Sequence, residues 1–336
     1  MPDLITPLLG KLRHAARHFV GRDRPIILMY HRVARLAHDP WQLAVSPDRF
    51  AEQIEALVQC RDVVPLSWLV ARLAQGRVPR KVAAVTFDDG YADVLSEARP
   101  VLERHTCPAT VLLVTGAIGD NCGFWWDELS RLIFEPPSLP LELDIEIAGR
   151  PHGWRTDGRL THAANEEVRD GLVVTREQLH YELWRLLRPL DPELCSELLL
   201  RLRTWAGIEI EATSIHRPLS AEEVHRLVAP GFIDIGAHTV THPQLSLLDD
   251  AGQRGEIEGS RRACEELVGR PIDTFAYPFG DFNDSAAASV HDCGFACACT
   301  ASGGAVARQI HPMRLPRFGV GNWRGDDLAR RLTAHS

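Results

Sequence analysis

This 336-residue chain has no CxxC pair, no run of about 18 consecutive apolar residues, no surplus of basic charge and no internal repeat. Each absence closes off a class of protein. The eight cysteines, at 60, 107, 122, 195, 264, 293, 297 and 299, are too dilute for a disulfide scaffold and lack zinc-motif spacing. Buried free thiols in a reducing compartment are therefore expected, with Cys297 and Cys299 on one face of a strand because strand side chains alternate. The missing apolar run leaves no membrane-spanning helix to expect, and residues 1–24 hold no uninterrupted apolar core of secretory-signal length. A cytoplasmic location is the resulting expectation. With 37 basic against 45 acidic residues the formal charge is -8, so nothing draws the chain generally to phosphate backbones, and nucleic acid is set aside as a partner.

What is present is the balance of a soluble globular protein, 45% hydrophobic and 24% charged, in a length that suits one α/β barrel with an insertion. Short apolar segments, Ile26–Tyr30, Val82–Phe87, Ala109–Val114, Phe232–Ile235, Thr274–Tyr277 and Phe295–Cys299, read as strands by their brevity and β-branched content. Helical patterns fall between them: Pro47–Leu57, Ser67–Leu73, Ala92–Arg104, Ala221–Val228 and Asp250–Leu267. This alternation predicts a parallel sheet closed into a barrel, with chemistry on the loops past the strand C-termini. The rhythm breaks over 119–215, where a mostly helical insertion with one small hairpin is expected. Near the start, Leu8, Leu12, Ala16, Phe19 and Val20 line one helical face, with Lys11, Arg13 and Arg17 around the other. That pattern serves a helix packed on its own domain, or an interfacial helix making weak membrane-surface contact through residues 8–20.

Three motifs carry chemistry. In VTFDDGYAD the adjacent carboxylates of Asp88 and Asp89 close a buried strand, and like charges so placed call for a neutralising cation unless the turn is simply solvated. In GAHTVTHP, His238 and His242 stand four residues apart, the spacing of paired imidazole ligands, although 15 histidines make chance pairs common. Added to a strand-end carboxylate, they form a two-His-one-carboxylate set with open coordination positions. In FAYPFGDFND, Pro278 and Gly280 bend the chain after a strand, either as a plain turn or to aim backbone N–H groups at a developing oxyanion.

TFDDG, HTxxH and YPFG, in that order, resemble the polysaccharide deacetylase family, the NodB-homology group of carbohydrate esterases, over roughly residues 25–118 and 216–320. The resemblance implies an α/β fold, a distorted (β/α)7-type barrel at 25–118 and 216–325. Beside it stand an N-terminal amphipathic helix at 1–24 and the 119–215 insertion. It further implies an acetylated saccharide substrate and a divalent metal, zinc foremost. Carried onto this chain, it makes Asp89, His238 and His242 the metal ligands, Asp88 the general base, and the Phe279 backbone N–H a donor to the tetrahedral oxyanion.

Two departures stand out. The family's Arg-x-Pro-Tyr-Gly reads Ala276-Tyr277-Pro278-Phe279-Gly280, and its late Leu-x-His reads Leu315-Pro316-Arg317. LMYHRV and YPFG resemble the branch containing poly-N-acetylglucosamine deacetylases, where the barrel order is permuted and an early Tyr-His supplies the acid. His31 then becomes the candidate acid, expected across the metal from Asp88, with His311 its rival, and Arg317 becomes the candidate partner of Asp88. Trp125 and Trp126 offer either a wall for sugar rings or packing. The main expectation is a metal-dependent N-deacetylase of an amino sugar in a poly- or oligosaccharide or its precursor. Alternatives are a hydrolase of another small amide or formamido sugar on the same metal site, or a sugar-binding module impaired by the two departures.

Overall fold

A computed structural model describes residues 23–120, 123–156, 173–208 and 216–333. The expected N-terminal amphipathic helix, and with it the membrane-surface contact through 8–20, lies outside the described residues. The described residues fall into two units, one of 23–36, 41–120 and 218–333, the other of 37–40, 123–156, 173–208 and 216–217. The second corresponds to the insertion, with Ala37–Pro40 added, a segment whose composition carries no mark of separation.

The first unit is built on an eight-stranded sheet in which every pairing is parallel. Seven strands follow one path: Cys297–Cys299, Thr274–Ala276, Ile233–Ala237, Ala109–Leu113, Val82–Phe87, Ile26–Tyr30 and Phe318–Gly319, with Asp62–Val63 alongside Val82–Phe87. Val82–Phe87 and Ala109–Leu113 are buried at every residue, as strands covered on both faces must be. Their side chains divide with period two. Leu28, Tyr30, Val85, Phe87, Val111, Leu113, Ile235 and Ala237 pack with the helices, whereas Ile27, Ala84, Leu112, Ala276, Cys297, Cys299 and Leu315 meet in a separate cluster on the other face. Ala298 joins the first cluster, so the two flanking cysteines do share a face, and both are free thiols.

The sheet closes through one segment. Leu315 bridges Cys299 at one edge, and Phe318 and Gly319 pair with Leu28 and Met29 at the other. Pro316, which has no N–H to give a ladder, and Arg317 sit at the seam between them. This stretch therefore makes two short contacts with an interruption between them, and the interruption is where a charged side chain enters the barrel.

Helices on the outside follow their apolar periods. Pro47–Cys60 begins with proline at its first position and buries Phe50, Ile54 and Leu57, each worth about 1.5–3 kcal/mol of removed apolar surface. Ala221–Val228 opens on a capping box of Ser220 and Glu223, and Asp250–Val268 runs from an Asp249 cap to Gly269 at φ 69. The helix expected over Ala92–Arg104 instead starts as a widened π-turn, Val94–Ala98, before Arg99–Arg104. Two causes are visible: Pro100 has no N–H for the regular ladder, and Asp93 is held by Val33 N and Arg32 Nε.

The second unit has helices Trp125–Phe134, Arg176–Leu187 and Pro192–Ala206, and an antiparallel hairpin of Glu142–Ile147 with Arg150–Thr156. Glu128 receives Arg203 through two bonds, at 2.6 and 2.8 Å. Trp126 is buried and stacks on Phe124 at 4.5 Å, while Trp125 meets Trp126 edge-on. Trp126 is thus spent on packing. No described helix is long and apolar enough to cross a membrane.

Candidate active site

Parallel pairing continues one residue beyond the strands and levels their ends. Asp88 N donates to Tyr30 O at 2.9 Å, and His238 N donates to Leu113 O at 2.9 Å. His31, Asp88 and His238 therefore stand on one rim, the C-terminal mouth where barrel chemistry collects. The backbone there is strained. Among the described residues, four of the eight non-glycine positions with positive φ are Asp89, Thr239, His242 and Phe279. Such conformations cost of order 1–3 kcal/mol each and persist only where surrounding bonds impose them. Gly90, at φ 79, completes the turn after Asp89; a Cβ there would lie 2.6 Å from Leu113 Cδ2.

Asp89, His238 and His242 face one another with one ligand atom each, all within 4.8 Å. Asp89 Oδ1 lies 3.6 Å from His238 Nε2 and 3.5 Å from His242 Nε2. Atoms bound at zinc-like distances around a tetrahedral centre are about 3.3 Å apart, so a small cation fits this set with little movement. The His238 ring supports the same use: Nδ1 donates to Ala276 O at 2.8 Å, which fixes the tautomer and leaves the Nε2 lone pair facing Asp89. Burial lowers the pKa of both imidazoles, His242 most, so both rest neutral as ligands must be. Cys299, buried nearby, has its thiol pushed up by burial to about 11 and stays protonated.

Asp88 turns away from this set toward Arg317. The guanidinium makes a fork onto the carboxylate, Oδ1 at 2.5 Å and Oδ2 at 2.7 Å, and also reaches Thr86 Oγ1 and Thr300 O. Both partners are almost fully buried. Burial on its own would raise the Asp88 pKa; the charges of Arg317, His238 and His31 and the Arg317 bonds outweigh it, and Asp88 rests well below the usual carboxylate range. His31 Nε2 lies 3.9 Å from Asp88 Oδ2, so His31 sits beside Asp88, not across the site from it. Burial, helped by Arg317 and His238 against the pull of Asp88, takes the His31 pKa down to about 4. His311 is elsewhere employed: exposed, with Nδ1 accepting from Met313 N at a turn.

The remaining loops are tied to this rim. Phe279, at φ 57, sets its ring edge-on to His242 at 4.5 Å. Asp281 Oδ2 accepts from Ser246 N and joins the YPFG turn to the chain after His242. Arg32, buried, pairs with Asp93 and lies 4.2 Å over the Tyr91 ring, bracing the segment that carries His31. Thr86, Thr300, Asp93 and Glu256, whose carboxylate binds the 240–241 backbone, escaped the sequence reading. Their partners are distant in the chain, and only the register of Thr86 two residues before Asp88 carried a signal.

Comparison with known proteins bears on the family and the fold. The family model for polysaccharide deacetylase matches residues 75–139 and 204–298. IcaB from Ammonifex degensii superposes with a TM-score of 0.60 at 18% identity, over 94% of this chain and 100% of that one. Streptococcus pyogenes deacetylase PplD, solved with acetate, gives 0.58 at 16% identity, over 93% and 99%. A de-N-acetylase from Aggregatibacter actinomycetemcomitans gives 0.54 at 14%, over 92% and 100%. At these identities the likeness to the solved structures is one of fold. No curated protein matches the chain significantly.

Proposed function

Because the chain carries a domain of the polysaccharide deacetylase family, we propose that it is a metal-dependent hydrolase that removes N-acetyl groups from an amino sugar within a saccharide. The observation that carries this reading is the facing set Asp89, His238 and His242 beside a buried, ionised Asp88. When bound, a divalent cation, zinc the first to try, lowers the pKa of water and polarises an acyl oxygen. The chain's own groups do the rest. Asp88, held in place by the Arg317 fork, takes a proton from the attacking water. His31, neutral at rest and 3.9 Å from Asp88, receives a proton within the cycle and delivers it to the leaving amine. The Phe279 backbone N–H, in the left-handed turn past the same rim, is the donor assigned to the oxyanion.

Arg317 also bears on the impaired-module alternative. The position where the family keeps its orienting arginine is Ala276, yet a guanidinium reaches the base from the seam at 317. On this reading the orienting role passes to a residue at the seam of the sheet.

The test is acetate release from acetylated chito-oligosaccharides by protein loaded with zinc, cobalt or nickel. Release that stops on chelation is expected. Asp89→Ala, His238→Ala and His242→Ala should each lose stoichiometric metal, because the groups around them cannot replace a missing ligand. Metal without acetate release would move the substrate to another amide or formamido sugar. A wild-type protein that binds no cation would overturn the proposal.

A further inference from the structure

Between the two histidine ligands runs a three-residue tongue, Thr239, Val240 and Thr241, and it is gripped from both sides. On one side Thr115 N donates to Thr239 O at 3.1 Å and Gly116 N to Val240 O at 2.8 Å. The approach is so close that a Cβ on Gly116 would lie 2.7 Å from Val240 O. On the other side stands Glu256, from the helix Asp250–Val268. Its Oε2 accepts from Val240 N at 2.8 Å and from Thr241 N at 2.9 Å, and its Oε1 accepts from the Thr241 hydroxyl at 2.7 Å. One turn earlier on that helix, Gln253 Nε2 donates to Leu245 O and Leu248 O, holding the chain that leaves His242.

Tongue conformation is what this grip decides. Thr239 is β-branched yet sits at φ 66, and His242 sits at φ 61. Neither residue chooses the left-handed region unaided, since the Cβ crowds the backbone there. Thr239 Oγ1 helps by accepting from His242 N at 3.0 Å, but that bond lies within the tongue and cannot place it in the barrel. The charge-assisted bonds of a carboxylate to two successive backbone N–H groups do place it.

We propose that Glu256 is a positioning residue for the metal centre: its carboxylate fixes the 239–241 tongue so that His238 and His242 present their Nε2 atoms together toward Asp89. The proposal rests on the metal-dependent reading above and adds a group that neither touches the cation nor enters the reaction. Its effect is on cation affinity and coordination geometry, through the angle between two imidazoles.

The experiment measures zinc affinity by competition with a chromophoric chelator, and the visible absorption of cobalt-loaded protein, in the wild type, Glu256→Ala, Glu256→Gln and Thr241→Val. His242→Ala serves as the ligand-loss control, and circular dichroism with melting of the metal-free proteins checks the fold. Wild type should bind one equivalent and His242→Ala none. Glu256→Ala should weaken zinc by about 10- to 100-fold and alter the cobalt spectrum, the scale seen for groups that orient ligands. Glu256→Gln and Thr241→Val, each keeping part of the grip, should fall between. A merely structural Glu256 would lower the melting temperature and leave both metal readouts alone. A folded Glu256→Ala whose zinc affinity stays within about threefold of wild type, with an unchanged spectrum, overturns the inference and leaves the metal site standing. If Glu256→Ala fails to fold, unchanged affinity and spectrum in both other variants overturn it equally. A wild type that binds no cation removes the proposed function, and the inference with it.

Discussion

Arg317 and Asp88 form a buried pair in which each partner is a liability without the other. Their fork, at 2.5 and 2.7 Å, satisfies two charges almost wholly removed from bulk solvent. Removing one side leaves an uncompensated charge in the barrel, which costs about 3–5 kcal/mol, whereas removing both is far cheaper. Arg317→Met should therefore lower unfolding stability by that amount in urea, and Arg317→Met with Asp88→Asn should recover most of it. Additive losses would show that the pair is not coupled. The pH dependence has a defined sign. Asp88 is held below its usual range in the folded chain, so the pair's contribution is complete above the unfolded value of about 3.9 and shrinks as pH falls below it. The gap between wild type and Arg317→Met should close in acid. His31 works in another window. Its pKa is lowered to about 4, so below the unfolded value of about 6.5 the unfolded chain binds the extra proton first, and native stability declines as pH falls between those limits. In metal-free protein, His31→Gln should flatten that decline; in loaded protein it should retain the cation and lose about 10²-fold or more in kcat. A variant with wild-type kcat would strip His31 of its role. Asp88, Asp89, His238 and His242 were readable in the chain because each pair is local. The Arg317 contact became readable only through a departure from a pattern, because 229 residues separate it from Asp88.

At the scale of elements, strand ends position the chemistry and small residues set how closely strands approach. Gly236 lies inside Ile233–Ala237, two residues before His238. A Cβ there would meet Leu112 Cδ2 at 2.7 Å and Thr274 O at 2.8 Å. The leucine tip can swing away, but the backbone oxygen belongs to a paired strand and cannot. Gly236→Ala should cost about 1–3 kcal/mol, the usual scale of overpacking, seen as a lower urea midpoint with an unchanged slope. A midpoint equal to wild type would mean the strands can part there freely. The elements most readable in advance were those with a clean period: Ile26–Tyr30, Val82–Phe87 and Ala221–Val228 occupy the stretches their patterns indicate. The π-turn at Val94–Ala98 and the assignment of Ala37–Pro40 to the second unit were not readable. Both are settled by contacts distant in sequence, Arg32 with Asp93 in one case and the His38 ring against Phe134 in the other.

For the whole molecule, the ligand set exists only when the barrel does, because Asp89 follows one strand and the two histidines follow another, with a third strand between them in the sheet. Unfolding separates Asp89 from His238 by well over a hundred residues of chain, and a cation held by all three in the folded state loses its site. A ligand that binds only the native state stabilises it by RT ln(1 + [L]/Kd), about 2.7 kcal/mol at a hundred times Kd. Zinc should raise the melting temperature with a dependence on its concentration, and a chelator should return it to the metal-free value. Free thiols complicate the expectation: the seven described cysteines are unpaired, and an unfolded chain exposes them to the same cation. Zinc captured by the unfolded state works in the opposite direction and lowers the apparent gain. Asp89→Ala separates the two effects, since it keeps every thiol and loses one native ligand. In that variant zinc should leave the melting temperature unchanged or lower it, while magnesium, indifferent to thiolates, should do nothing. An equal rise in wild type and Asp89→Ala would place the stabilising cation somewhere other than the mouth of the barrel.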